Sequence, residues 1–337
     1  MKRYTSALLV LFIILGISAN EFIQEIDSND SLAQTLFALG EARPDHYIES
    51  PSSEAVKRGE ELIKLGKTID PKGSSSGYIS KYYVCTSCHN LQREDTDLTV
   101  VDQNARLDYA MANKIPYLQG STFWGMVNRE TWYNDDYVLK YGDLVKDAEK
   151  SLKASVELCA TVCSQGRSLK GWEMESIMAY LWSLEMKISD LGLSDAEMAQ
   201  LNSSMSKNGK ITLLKSKYLQ KSPATFVDPP ADQLLGYDYE GDPVLGKAIY
   251  ELGCQHCHRP NGESDVILDN TALSLNWLER HITDQTQLSI YQIIRKGTYA
   301  EYGHKEYMPH YTLEKMSDQQ LEHLRAFIEN PEAANVN

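Results

Sequence analysis

The pentapeptides CTSCH (residues 85–89) and CQHCH (residues 254–258) constrain this chain more than any other stretch. Each sets two thiols either side of a two-residue gap and puts a histidine directly after the second. That spacing lets the thiols add to the two vinyl groups of one haem and holds the histidine under the iron. A zinc site would need a second ligand pair close by, and neither pentapeptide has a clear one. A redox CxxC pair needs no following histidine and belongs to a βαβ pattern that is missing here. Two such motifs by chance are negligible. The expected cofactors are two covalently bound haem c groups, on Cys85 and Cys88 and on Cys254 and Cys257, with His89 and His258 as proximal iron ligands. His256, in the variable pair of the second motif, reads as a surface residue.

Such a chain reads as a dihaem c-type cytochrome, and its organisation fits two similar units. VKRGEELIKLG (56–66) and PVLGKAIYELG (243–253) align around Gly59 and Gly246, and each ends Leu-Gly seven residues later. Both read as the first helix of a small cytochrome c fold. The second starts with Asp242 as N-cap and Pro243 at the first helical position. Glycine within a helix costs about 1 kcal/mol relative to alanine, so its recurrence predicts close helix crossing. Each unit should also close with a helix. Ser317 to Gln320 is a capping box before Leu321, Leu324, Phe327 and Ile328. WEMESIMAYLWSLEM carries Met174, Ile177, Met178, Leu181 and Leu184 at helical spacing, as core residues.

The predicted fold is mainly α: two class I cytochrome c domains, at 50–190 and 237–332, joined by a long linker at 191–236. The first is enlarged by roughly 67–83 and 92–157. The linker holds one helix capped by Ser194 and Glu197, then the irregular SMSKNGK and FVDPPADQ. The first 19 residues read as a signal peptide. Lys2 and Arg3 precede an apolar run too short to span a bilayer, and a small residue follows at a plausible cleavage point. That predicts a periplasmic or otherwise exported protein with no membrane span in the mature chain. An apolar content of 42% suits a globular core, and the net charge of −14 argues against nucleic acid or an anionic membrane as partner. It favours a redox partner protein with a basic patch.

The sixth iron ligand differs between the halves. EYMPHYTLEKMSDQQL places Met308 before Pro309, nine residues ahead of Ser317. This resembles the class I cytochromes c, in which a Met-Pro loop precedes the last helix and the thioether binds iron. Met316, His304 and His310 are the alternatives. The first half lacks a Met-Pro loop, and three arrangements stay open there. Cys159 binds the iron as thiolate, Cys159 and Cys163 form a disulfide, or Met126 is the ligand with both thiols free. A bridge between residues four apart on a regular helix is strained, so it needs a broken helix.

LKASVELCATVCSQGRSLKGWEMESIMAYLWSL resembles the segment that closes the N-terminal haem domain of thiosulfate dehydrogenases. It is more distantly similar to the dihaem subunit of the sulfur-oxidising cytochrome complex. The match rests on Cys159, Gly166 seven residues later, Glu173-Met174, Ala179-Tyr180 and CTSCHNL. It implies that Cys159 is a thiolate ligand at a catalytic first haem handling a small sulfur compound such as thiosulfate or tetrathionate. Where those enzymes have arginine then serine, three and four residues after the cysteine, this chain has Val162 and Cys163. Arg129, Arg167 and Lys170 are the basic residues that would then sit near an anion. The competing reading is a non-catalytic carrier, or a subunit of a respiratory or dehydrogenase complex. A dihaem peroxidase is weaker, because nothing specifies an acid–base residue beside an open iron site.

Overall fold

A computed structural model describes residues 25–282, 288–298 and 308–335. The signal-peptide reading and His304 fall outside these residues. Among the described residues there is no strand, only three isolated bridges, so the fold is mainly α.

In chain order the helices are α1 (Leu32–Leu39), α2 (Ser53–Leu65), α3 (Gln103–Asn113), α4 (Asp135–Tyr141), α5 (Asp143–Lys146), α6 (Leu152–Leu158) and α7 (Gly171–Ser183). The second half adds α8 (Asp195–Leu201), α9 (Lys207–Lys215), α10 (Pro243–Ile249), α11 (Gln255–Cys257), α12 (Ala272–Ile282), α13 (Ile290–Lys296) and α14 (Asp318–Glu329). Short π-helical turns at Cys159–Cys163 and Tyr250–Cys254 continue α6 and α10. The expected caps are present: Asp242 accepts from Val244 N, and Ser317 and Gln320 close a reciprocal box on α14.

Each half is built on one crossing of its first and last helices, α2 with α7 and α10 with α14. The recurring glycines sit at these crossings. A Cβ on Gly59 would lie 1.9 Å from the Ser176 carbonyl oxygen, and one on Gly246 would lie 1.9 Å from that of His323. Neither position has room for a methyl group, which accounts for glycine at both despite its helix cost.

Three apolar cores result, and they cut across the boundaries drawn from sequence. One surrounds α2 and α7, with Leu62, Ile63, Met178 and Leu181 fully enclosed. A second, around α10 and α14, also takes Leu107, Ala110, Ile115 and Tyr117 from the first half. The Tyr117 hydroxyl donates to Gln320 Oε1 at 2.9 Å, and its amide donates to the Leu252 carbonyl at 2.9 Å. So α3, placed by sequence in an enlargement of the first unit, completes the core of the second. The third core joins α1 to α8 and α9 through Leu32, Leu36, Leu201 and Leu214. The stretch read as a linker is therefore packed structure. SMSKNGK is not irregular: Ser206 caps α9, and burial of Leu214 holds it.

The two halves are also joined by a buried ionic cluster. Glu94 Oε2 lies 3.4 Å from Arg106 Nε and 3.3 Å from Lys315 Nζ, and Asn90 Nδ2 donates to Oε1 at 2.8 Å. Burial alone would push the Glu94 carboxyl up. The charges of Lys315 and Arg106 and the hydrogen bonds outweigh it and hold it at about 2. Burial pulls the Lys315 ammonium down to about 8, against the attraction of Glu94.

Candidate functional site

Cys85 opens a 3-10 turn, Cys85–Ser87, that returns the chain so that His89 N donates to the Cys85 carbonyl at 3.1 Å. His89 Nδ1 sits 2.6 Å from the Ser121 carbonyl, and Phe123 stacks on the ring at 4.5 Å and 14°. Gly120 lets this loop approach, since a Cβ there would fall 2.5 Å from the Cys88 carbonyl oxygen. In the second motif His258 Nδ1 sits 2.9 Å from the Val266 carbonyl, and Leu268 N donates to the His258 carbonyl at 2.7 Å.

Both histidines thus have Nδ1 fixed by a backbone carbonyl, while Nε2 makes no hydrogen bond among the described residues. A carbonyl at Nδ1 selects the tautomer with the proton there and leaves the Nε2 lone pair for a metal. Burial lowers both pKa values, which favours the neutral, ligating form. These residues fit a covalently held haem on each motif.

The two motifs touch. Ser87 Oγ donates to Glu263 Oε1 at 2.8 Å, His256 Nε2 lies 3.1 Å from the Thr86 carbonyl, and Cys257 Sγ lies 3.5 Å from the Ser87 carbonyl. His256 is therefore not a free surface residue: its side chain is half-buried and joins the two attachment loops. Nothing in CQHCH indicates a contact that depends on how the halves are docked.

On the other side of the first motif, α6 ends at Leu158 and the π turn carries Cys159 and Cys163. Ser164 N donates to the Cys159 carbonyl at 2.8 Å, and Gly166 N to that of Ala160 at 2.9 Å. Both cysteines are free, and Cys159 lies within electrostatic range of Cys163, Cys85 and Cys88. The neighbouring Cys163 side chain and burial raise the Cys159 pKa, and the Cys159 side chain lowers that of Cys163. Met126 is buried in the core beside Phe123, Val127 and Trp132. It belongs to the chain segment that supplies Ser121 and Phe123 to the proximal histidine.

Met308 is half-buried against the second core. Its amide donates to Thr298 Oγ1 at 2.6 Å, and its carbonyl accepts from Thr298 N at 2.9 Å, which ties the loop to the end of α13. Met316 is packed inside that core. His310 packs among Tyr141 and Phe226 rather than flanking an open turn, and burial takes its pKa to about 4.

Of the three basic residues, Arg167 and Lys170 meet at Glu173 and Arg129 has a partner elsewhere. Arg167 gives both terminal nitrogens to Glu173, at 2.8 and 2.7 Å, and also bonds the Tyr78 carbonyl. Arg129 reaches Ser222 Oγ at 2.6 Å, and burial lowers its pKa. Lys170 is exposed at the start of α7.

The cytochrome c family model matches residues 243–331. The second half carries a cytochrome c domain. Covalently bound haem c and haem-based electron transfer follow for that domain, and CQHCH lies within the matched residues. The match does not reach CTSCH. No curated protein and no solved structure matches the chain. No helix among the described residues is long and apolar enough to cross a membrane.

Proposed function

We propose that this chain is an exported dihaem electron-transfer protein in which two redox centres exchange electrons across the contact between CTSCH and CQHCH. The observation that carries this reading is that contact, the hydrogen bonds of Ser87 with Glu263 and of His256 with Thr86. Haem c supplies a one-electron iron couple when bound. The residues of the chain anchor it through Cys85, Cys88, Cys254 and Cys257, orient His89 and His258 through the Ser121 and Val266 carbonyls, and fix the separation of the two motifs.

Met308 is the sixth ligand proposed for the second site, supported by its tether to Thr298. For the first site the proposed ligand is Cys159, supported by its lying within electrostatic range of Cys85 and Cys88. Met126 is less suited because its segment serves the proximal ring. A thiolate stabilises oxidised iron and sets a lower potential than a thioether, which directs electrons from the first half to the second. A small sulfur compound is the substrate class the cysteines favour. The engagement of Arg167 by Glu173 favours the simpler relay, in which neither site holds an anion.

Mass spectrometry of the mature protein is expected to find two haem masses on one chain. Electron paramagnetic resonance should then separate a histidine/thiolate from a histidine/methionine signal. Loss of the first signal in Cys159→Ala, with loss of any thiosulfate- or tetrathionate-linked turnover, supports the enzymatic form. Two histidine/methionine signals in the wild type would leave the relay.

A further inference from the structure

The segment that orients His89 also carries Arg129. From Ser121, whose carbonyl holds Nδ1 of the proximal ring, the chain passes Phe123 and turns at Gly125, with a φ of 67°, into the 3-10 turn Met126–Asn128. Arg129 follows, its amide donating to the Met126 carbonyl at 3.3 Å, and its side chain lines a cavity of about 110 Å³ between the two halves. Ser121 lines the same cavity, as do Glu94, Arg106 and Lys315. Glu94 serves Arg106 and Lys315. Arg129 is then a third cation, with only the Ser222 hydroxyl, at 2.6 Å, as partner among the described residues. A guanidinium withdrawn from water without an anion is costly, and its planar fork of donors matches a carboxylate. The remaining carboxylates of the lining, all less buried than Glu94, do not supply one. Asp95 and Asp97 accept from amides of their own loop, Asp102 caps α3, and Glu314 is taken by Thr225.

We propose that Arg129 binds a propionate carboxylate of the haem held by CTSCH, in a cavity whose far wall, Ser222 and Lys315, comes from beyond the first half. This rests on the reading that CTSCH carries haem. Two observations favour a carboxylate that belongs to the cofactor over a free anion. The cavity begins at Ser121, one hydrogen bond from the His89 ring, and the exposed Asp97 and Asp102 at its outer end repel a small anion arriving from solvent. Arg129 is thus a cofactor-binding residue. Its positive charge beside the haem edge opposes the ferric state, so its removal lowers the potential of the first centre.

The test uses the full-length holoprotein in its ferrous, diamagnetic state, isotopically labelled at the haem carboxylate carbons and the arginine guanidinium nitrogens. Solid-state dipolar recoupling is expected to find a carboxylate carbon within hydrogen-bonding reach of a guanidinium nitrogen. Arg129→Lys, which keeps the charge, should lose that coupling. Spectroelectrochemistry gives a second readout: the first centre should titrate at a lower potential in Arg129→Gln and close to wild type in Arg129→Lys, with the second centre unmoved. No coupling in the wild type, a coupling that survives in Arg129→Lys, or an unshifted first centre in Arg129→Gln overturns the proposal. So does a first-centre potential that follows added sulfate in the wild type and not in Arg129→Gln, which assigns the cavity to a free oxyanion. Peptide mapping that finds no haem on Cys85 and Cys88 instead removes the reading on which the proposal rests.

Discussion

The Glu94 carboxylate sits between two buried cations, and its acidity carries a consequence for stability. Its folded pKa of about 2 is below the ordinary 4.5, so the stability it contributes is present above about 4.5 and is lost as the pH falls toward 2. Glu94→Gln leaves Arg106 and Lys315 without a counter-charge and should cost about 3–5 kcal/mol at neutral pH. Denaturant melts of both proteins at pH 7 and pH 3 test this, because the gap between them should narrow in acid. An equal gap at both values would remove the carboxylate charge as its cause. The four motif cysteines and two motif histidines were legible because their chemistry belongs to the residue type and its spacing, whereas for Cys159 and Cys163 three arrangements stayed open. The acceptors that orient the histidines were not, since a backbone carbonyl is the same on Ser121, Val266 or any other residue. Glu263 was hidden for a different reason: its partner, Ser87, is 176 positions away.

At the scale of helices, the paired crossings make a matched experiment. Gly59→Ala and Gly246→Ala each drive a methyl into a carbonyl oxygen at 1.9 Å, where overpacking typically costs about 1–3 kcal/mol and should lie at the upper end here. Thermal melting is expected to fall in both, while alanine at Gly171, which has nothing within 4 Å, should change little. Similar melting points in all three variants would contradict the crossing geometry. The crossings were readable from sequence because a glycine recurred in an apolar helical pattern. Helices α1 and α9 were not: both are short, α1 (LAQTLFAL) belongs to no repeat, and α9 lies in a polar stretch. Their core positions, Leu32 and Leu36 against Leu214, acquire meaning only when set against each other. The π turn at Cys159–Cys163 carries no distinguishing residue type at all.

Across the whole molecule, charge and core predict different things. With a net charge of −14, the rate of electron exchange with a cationic redox partner should fall steeply between low and physiological ionic strength. Stopped-flow rates over that range check it, and a flat profile would place the docking contact elsewhere than on charge. Tyr117→Ala removes a fully enclosed ring and its bond to Gln320, and should cost roughly 3–5 kcal/mol. Although Tyr117 belongs to the first half, circular dichroism melts should show the second half losing its fold earlier. Retention of the wild-type melting point would mean that α3 and Tyr117 are not part of the second core. The docking of that segment also bears on how such a chain is made and inherited. During synthesis residues 107–117 emerge well before α10 and α14, so an apolar face waits uncovered until the C-terminal helices arrive. Lineages that shuffle haem modules could not replace this second half by another without also rewriting a stretch encoded far upstream.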